Sequence, residues 1–312
     1  MGRYRLGDIV RMTRKSLSIT QEQLCEDICS AETLSRIETG RQNPGKDVYE
    51  LLMERMGRIR ERAYSMLSVS DYKVLEKMRQ FERCIQAYEY HRAEYILEDI
   101  RRLLGGTNLD KQFIIRAESL INYRFKRIST DEFLEELHKA IRITIPRYGE
   151  ISLSNWPLTY NETTLLLNIS TAYSENEEYK RGIDILEEVN NALKQSYIDD
   201  EQRVIMQVVI LYSISKWYGL IEEYQKAMET ANEGIEICRE FKIGNVLPHL
   251  LYNYAWITQQ LIDKGTLPPE NKRKCISYLK QAYYIASAMH QSYMEQFIKG
   301  HLAMNYDIKL HF

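Results

Sequence analysis

A short polar segment near the N-terminus has the residue types that can read nucleic-acid bases. In residues 30–38 only Leu34 and Ile37 form an apolar stripe, so the opposite face of a helix here stays free of the core. A major groove about 12 Å wide admits one helix, whose polar side chains reach base edges. Arg36 can pair with O6 and N7 of guanine together, and Glu32 can accept a hydrogen bond from N4 of cytosine. The segment is therefore a candidate for DNA recognition.

Other patterns that could carry chemistry fail on their surroundings. Residues 40–46 match Gly-x-x-x-x-Gly-Lys of a phosphate-binding loop, but Asp47 stands where Ser or Thr should bind magnesium. A predicted helix also precedes this loop, where a strand is required. The histidines are scattered and lack metal-ligand spacing; they are His91, His138, His249, His290, His301 and His311. We therefore predict a protein that is not an enzyme and that has neither a metal nor another cofactor.

Helix signals in the first sixty residues indicate how the polar segment is positioned. Apolar residues recur every three or four positions over residues 6–17, which predicts a first helix. Thr20 and Gln23 form a capping box for a second helix. Ser30 caps the third, polar helix, and Gly40 ends it. The sequence thus predicts two short helices joined by a tight turn, with the polar helix second.

Composition excludes several classes of protein. The 312 residues are 44% hydrophobic and 28% charged, with only 14 Gly and 6 Pro, which excludes disorder, fibres and a typical all-β fold. Apolar runs are far shorter than the ~20 residues of a membrane helix, and the N-terminus is too charged for a secretory signal. We expect a cytoplasmic protein with no membrane contact. Its five dispersed cysteines are expected to be reduced core residues.

Two segments of the N-terminal region resemble the lambda-repressor-like, Xre-type helix-turn-helix. Residues 20–24 read T-Q-E-Q-L and residues 33–44 read T-L-S-R-I-E-T-G-R-Q-N-P. The usual pattern is T-Q-E-x-L-A followed by S-x-I-S-x-I-E-x-G-x-x-x-P. The turn at residues 28–30 is one residue shorter than usual. The likeness covers about residues 5–57 and implies a DNA-binding domain.

This resemblance implies DNA contacts at particular positions. The start of the second helix would hold a phosphate or a flanking base, the third helix would face the groove, and the loop after it would contact the backbone. In that order the residues are Gln21; Ala31, Glu32, Thr33, Ser35 and Arg36; and Arg41 and Asn43. The competing interpretation is that the charged members, Glu32, Arg36 and Arg41, are ordinary solvated side chains.

The remainder of the chain shows weak internal repeats of helical hairpins. Aligning residues 166–183 with 211–228 places Ser170 on Ser215 and Gly182 on Ala227. These are the positions at which the tetratricopeptide pattern has small residues that let two helices cross closely. A third unit follows with an insertion, and two weaker units precede.

Together these patterns predict an all-α chain. Its N-terminal lambda-repressor-like helix-turn-helix domain would be followed by a tetratricopeptide-like helical repeat solenoid. The expected boundaries are residues 1–62 for the DNA-binding domain, 63–70 for a linker, 71–288 for the repeats, and 289–312 for a C-terminal capping helix that runs over residues 289–310.

A row of polar residues is predicted on the inner face of the repeats, beside tyrosines. An Asn side chain both donates and accepts, so a ladder of them can clamp the backbone of an extended peptide. The alternative is that these groups only satisfy neighbouring helices. The candidate peptide contacts are Asn122, Asn168, Tyr212, Ser213, Tyr252 and Asn253.

The combined architecture resembles the peptide-pheromone-responsive transcription regulators of Gram-positive bacteria, the Rgg/PlcR/PrgX-type group. This resemblance spans nearly the whole chain. It implies a homodimer that binds a pseudo-palindromic operator in double-stranded DNA, and a short signalling peptide that controls DNA binding allosterically in quorum sensing. Two other functions remain open from the sequence. One is a constitutive repressor of phage or mobile-element type whose repeats only dimerise, and the other is a protein-binding adaptor.

Overall fold

The computed structural model describes residues 6–56, 69–104, 108–154, 156, 158–194 and 200–310. Within these residues the chain is all-α, as predicted, and contains fifteen α-helices and no β-strand. The helices are α1 (Leu6–Ser16), α2 (Gln21–Cys25), α3 (Ala31–Glu38), α4 (Lys46–Arg55), α5 (Val69–Gln86), α6 (Tyr90–Leu103), α7 (Asn108–Arg124), α8 (Thr130–Arg142), α9 (Tyr160–Glu175), α10 (Tyr179–Lys194), α11 (Asp200–Leu220), α12 (Tyr224–Glu240), α13 (Leu247–Asp263), α14 (Lys272–Ala288) and α15 (Ser292–Tyr306).

The chain forms two compact units. Unit 1 comprises Met1–Ala172 with Gln195–Tyr197, and unit 2 comprises Tyr173–Lys194 with Ile198–Phe312. The four N-terminal helices and the first repeats belong to unit 1, and the later repeats belong to unit 2.

Helices α1–α4 enclose a small apolar core. Its fully buried members come from all four helices and include Val10, Leu24, Leu34 and Leu52. Burial of several such side chains is the main stabilising term for a domain of this size. Helix α1 approaches α3 so closely that a Cβ on Gly7 would overlap the carbonyl oxygen of Ile37, so only glycine fits there.

The predicted caps are present. Thr20 accepts from the backbone N–H of Gln23, whose side chain accepts in turn from the backbone N–H of Thr20. Ser30 accepts from the backbone N–H of Thr33, and Gly40 adopts a left-handed φ of 69° just after α3. These local bonds fix where the two short helices begin and where the polar helix ends.

The repeats are helical hairpins, as the sequence predicts. In unit 1, α5 packs on α6 and α7 on α8; in unit 2, α11 packs on α12 and α13 on α14, with α15 packed on α14. The small residues predicted at the close crossings are all buried. They are Ser170, Gly182, Ser215 and Ala227. The insertion in the α13–α14 hairpin contains the 3₁₀ turn Pro269–Asn271.

Three expectations differ from the structure or lie outside it. The last helix is shorter than the predicted span of residues 289–310, because His290 has a left-handed φ of 54° and Asp307 ends α15 with a φ of 52°. Cys29 is only partly buried, whereas the other four cysteines lie in the core. Most of the predicted linker, residues 63–68, lies outside the described residues, and the domain boundaries stay predictions.

Candidate functional site

Helix α3 presents one polar face away from the core. Leu34 and Ile37 are fully buried, whereas Glu32 and Arg36 are exposed on the opposite side. Thr33 is partly buried, and its hydroxyl lies 2.9 Å from that of Ser30, so it also belongs to the N-cap. The helix therefore has the free polar face that the sequence predicts.

Glu32 and Arg36 form an ion pair on this face. The Arg36 Nη2 lies 2.5 Å from Glu32 Oε1, and the side chains are 55% and 75% exposed, respectively. Because both groups are solvated, a pair of this kind contributes only about 0.3–0.5 kcal/mol. The contact is weak enough to exchange for a ligand.

A second, buried carboxylate ties α3 to α1 and α2. Glu38 is 3% exposed and accepts from Arg14 Nε at 2.6 Å and Nη2 at 2.8 Å. The side-chain amide of Gln21 also donates to Glu38, at 2.8 Å. The hydrogen bond that the Arg14 guanidinium donates to Glu38 raises the pKa of Arg14. This network holds the C-terminal end of α3 against α1 and α2.

The remaining predicted DNA contacts lie around the polar helix. Ala31 and Ser35 are partly exposed on α3, and Arg41 and Asn43 are exposed in the loop after it. The backbone N–H of Arg41 donates to the Arg36 carbonyl at 2.9 Å, which anchors the start of that loop on the helix. The eight predicted residues thus lie on α3, at the start of α2, or in the loop that follows α3.

The first helices of the hairpins in unit 1 meet through a buried arginine. Arg116 of α7 is 2% exposed, forms an ion pair with Glu82 of α5, and lies 3.4 Å from the Asn168 Oδ1 of α9. Its guanidinium also lies 5.3 Å from the centroid of the Phe113 ring. Asn168 therefore lies on the side of α9 that faces α7. Sequence inspection missed Arg116 and Glu82, because neither belongs to a local motif.

Asn122 lies on another side of α7. Its Oδ1 accepts from Arg127 at 3.2 Å, and Arg127 also donates to Glu94 of α6 at 2.6 Å. Asn122 lines a cavity of about 130 Å³ together with residues of α6. The contacts of Asn122 point toward α6, whereas those of Arg116 point toward α5 and α9.

In unit 2 the corresponding face is aromatic. Tyr212 of α11 packs edge-on against His249 of α13, with ring centroids 5.3 Å apart. Tyr252 of α13 packs against Phe297 and His301 of α15, at 4.9 and 5.3 Å. Burial raises the pKa of Tyr252 to about 12 and lowers the pKa of His301. The tyrosines of the predicted row are accompanied by histidines and a phenylalanine that the repeat pattern did not indicate.

The two other predicted residues of unit 2 have structural hydrogen bonds. Asn253 is buried, and its amide donates to the Tyr212 carbonyl at 3.3 Å and to the Ser215 hydroxyl at 3.0 Å. Ser213 donates to the Val209 carbonyl within its own helix. At Asn253 the observed contacts match the alternative interpretation, in which the amide satisfies a neighbouring helix.

The described residues contain neither a candidate metal cluster nor a candidate membrane span. In the part of the chain that the structure describes, no group of three or more His, Cys, Asp or Glu side chains could hold a metal ion. None of the described helices combines the length and apolar character that a membrane span requires.

Comparison with known proteins supports the architecture at two levels. Residues 5–63 match the family model of a helix-turn-helix domain, which confirms that domain. Sequence comparison with curated proteins gives no match. The class of the protein is therefore defined by its fold: a helix-turn-helix domain followed by tetratricopeptide-like helical hairpins.

Solved structures share this fold along nearly their whole length. PlcR of Bacillus thuringiensis, solved with the peptide PapR7 and DNA, aligns with a TM-score of 0.62 and 18% identity, over 94% of this chain and 98% of PlcR. The apo form of ComR from Streptococcus vestibularis aligns with a TM-score of 0.53 and 15% identity, over 96% and 97%. ComR of S. thermophilus, solved with DNA and its signalling peptide ComS, gives 0.52 and 14%, over 95% and 97%. The resemblance to Rgg/PlcR-type regulators is confirmed at the level of the fold.

Proposed function

We propose that this protein is a sequence-specific DNA-binding transcription regulator whose repeats bind a short signalling peptide, and that the peptide changes its affinity for DNA. One observation carries the proposal. A helix-turn-helix domain with an exposed polar third helix is followed by hairpins in an arrangement that aligns over 94% of the chain with PlcR, a protein solved with both a peptide and DNA.

On the DNA side, α3 enters the major groove. Arg36 pairs with guanine, Glu32 accepts from cytosine, and Ala31, Thr33 and Ser35 contact neighbouring base edges. The remaining contacts position the domain on the sugar-phosphate backbone; they come from Gln21, Arg41 and Asn43. A homodimer would present two such helices to the half-sites of a pseudo-palindromic operator in double-stranded DNA.

On the peptide side, each unit contributes its own contacts. In unit 1, Arg116 holds the Oδ1 of Asn168, which leaves the amide NH₂ to donate to a peptide carbonyl. In unit 2, Tyr212 and Tyr252 supply apolar surface, while Asn253 supports Tyr212 from behind. In this proposal Arg116 orients the peptide-binding amide of Asn168, and Asn122 and Ser213 have smaller roles than the sequence suggests.

The proposal is tested with the full chain and two unbiased pools. An operator is selected from random-sequence duplexes, and retained peptides are identified from a pool of random synthetic heptapeptides by gel filtration and mass spectrometry. Titrating a retained peptide should change operator affinity about 5- to 150-fold, the usual range of allosteric coupling. A peptide that binds without changing operator affinity contradicts the allosteric part, and failure to enrich any duplex contradicts the DNA-binding part.

A further inference from the structure

We propose that Glu32 determines the DNA specificity of α3 through its ion pair with Arg36. The pair leaves Arg36 able to bind a guanine edge but disfavours its binding to the phosphates of other DNA. The inference rests on the proposed DNA-binding function and assigns a mechanism of discrimination to the same surface. The structural basis is the exposed ion pair between Glu32 and Arg36 on the free face of α3.

The pair has the geometry of a reversible clasp. Glu32 lies in the first turn of α3, one helical turn before Arg36, which is the favoured order for an acidic and a basic residue. The contact is 2.5 Å long, yet both side chains are more than half exposed. An exposed pair of this kind shifts an equilibrium by only about twofold, so a better partner displaces it.

A guanine edge and a phosphate differ in what Arg36 gains by leaving Glu32. Guanine offers O6 and N7, which match two guanidinium N–H groups, and the paired cytosine offers an N4 donor that Glu32 can accept. A phosphate also accepts two guanidinium N–H bonds, but it has no donor for Glu32 and its negative charge repels the Glu32 carboxylate beside it. Glu32 thus lowers the affinity of α3 for arbitrary backbone and leaves the affinity for a cognate base pair intact.

The other acid at the end of α3 cannot do this. Glu38 is buried and held by Arg14 and Gln21, so it is not available to exchange partners. Asp27, in the turn before α3, is exposed and has a left-handed φ of 59°, a conformation that Asn also tolerates. An Asp27→Asn variant therefore removes one negative charge from the domain without touching the clasp.

The experiment compares the full-length wild type with Glu32→Gln and with Asp27→Asn as the matched control. Binding to a short duplex without a designed site is measured by fluorescence anisotropy at several salt concentrations. In Glu32→Gln, Arg36 is free to contact a phosphate. We expect its affinity at about 0.1 M salt to rise roughly 3- to 8-fold and the salt slope to steepen by about 0.9. Asp27→Asn should change the affinity less than twofold.

A selection from random duplexes supplies the second readout. The wild type should enrich a G·C pair at one half-site position. Glu32→Gln should weaken that preference, and Arg36→Ala should abolish it. Equal affinity gains in Glu32→Gln and Asp27→Asn, or an unchanged preference in Glu32→Gln, overturns the role of Glu32 alone. A wild type that binds no duplex at low salt overturns the proposed function as well.

Discussion

At the scale of single residues, the position of α3 depends on one buried carboxylate. We predict that Glu38→Gln destabilises the N-terminal helices by about 3 kcal/mol, because Arg14, which is 12% exposed, loses its ionic partner. Hydrogen exchange of residues 6–56 in the full chain should show protection about 100-fold lower than in the wild type. Glu32→Gln, which opens an exposed pair, should leave protection within about threefold. Similar exchange in the two variants would contradict the structural role of Glu38.

In the repeats of unit 1, Arg116 forms a buried ion pair like that of Glu38 with Arg14. We predict that Arg116→Met lowers the free energy of unfolding by about 1–3 kcal/mol, because Glu82 loses its partner although it can partly rehydrate. Denaturant unfolding of Arg116→Met, Glu82→Gln and the double variant measures the coupling. A coupling energy of about 1–3 kcal/mol is expected, and additive single effects would show that the ion pair contributes nothing.

These two networks also mark the limit of prediction from the sequence. The apolar stripe of α3 and its caps depend on residues three or four positions apart, and the sequence indicates them correctly. Arg14 and Glu38 are 24 positions apart, and Arg116 and Asn168 are 52 apart. No local periodicity links residues at such distances, so the partner of the predicted Asn168 became visible only in the fold.

At the scale of elements, the hairpin turns share a left-handed backbone conformation that the sequence does not indicate. Four hairpin turns place a non-glycine residue in the left-handed region, at Tyr88, Lys126, Glu177 and Glu222, with φ of 56–63°. The next backbone N–H bonds the carbonyl five residues earlier, as in the donation from Glu178 to Tyr173. Because these turns contain no glycine, the sequence does not show where one helix ends and the next begins. This explains why the repeats are predicted only in outline and the start of α15 is misplaced.

The same conformation gives a prediction for one turn. Glu177→Gly should raise the melting temperature by about 1–3 °C, since glycine relieves roughly 0.5–1 kcal/mol of left-handed strain at an exposed position. Glu177→Val should lower it, because a β-branched residue is disfavoured there. Differential scanning calorimetry distinguishes the two directions. A loss of stability in the glycine variant would show that the Glu177 side chain contributes more than its backbone strain removes.

At the scale of the whole molecule, the sequence has 23 tyrosines against 7 phenylalanines, and two groups of tyrosines in the repeats have different surroundings. Tyr218 and Tyr224 are buried between helices, and their rings lie 5.3 and 4.7 Å from the amino groups of Lys226 and Lys264. These contacts stabilise the hairpins, as repeat packing predicts. Tyr212 and Tyr252 instead lie on the face formed by first helices in unit 2. In each group a ring packs while its hydroxyl reaches a polar partner: Tyr218 donates to Glu187, and the Tyr252 hydroxyl lies 3.5 Å from His301 Nδ1.

The folded chain should also be sensitive to mild acid. Burial lowers the pKa of His138, His249 and His301 below the ordinary value of 6.5. Below that pH the three histidines bind protons in the unfolded chain but stay neutral in the folded chain. The free energy of unfolding is therefore highest above about pH 6.5 and decreases as the pH falls. Most carboxylates titrate only below about pH 5, so the histidines dominate the window between pH 7 and 5.

We predict that the melting temperature decreases steadily from pH 7 to pH 5, and that replacing His138, His249 and His301 by Phe flattens this profile. Phenylalanine keeps an aromatic ring at each position, but this ring cannot bind a proton. His290→Asn, at an exposed position with left-handed φ, should keep the wild-type profile. Thermal unfolding at half-unit pH intervals tests the three proteins side by side. A triple variant as acid-sensitive as the wild type would assign the pH dependence to other groups.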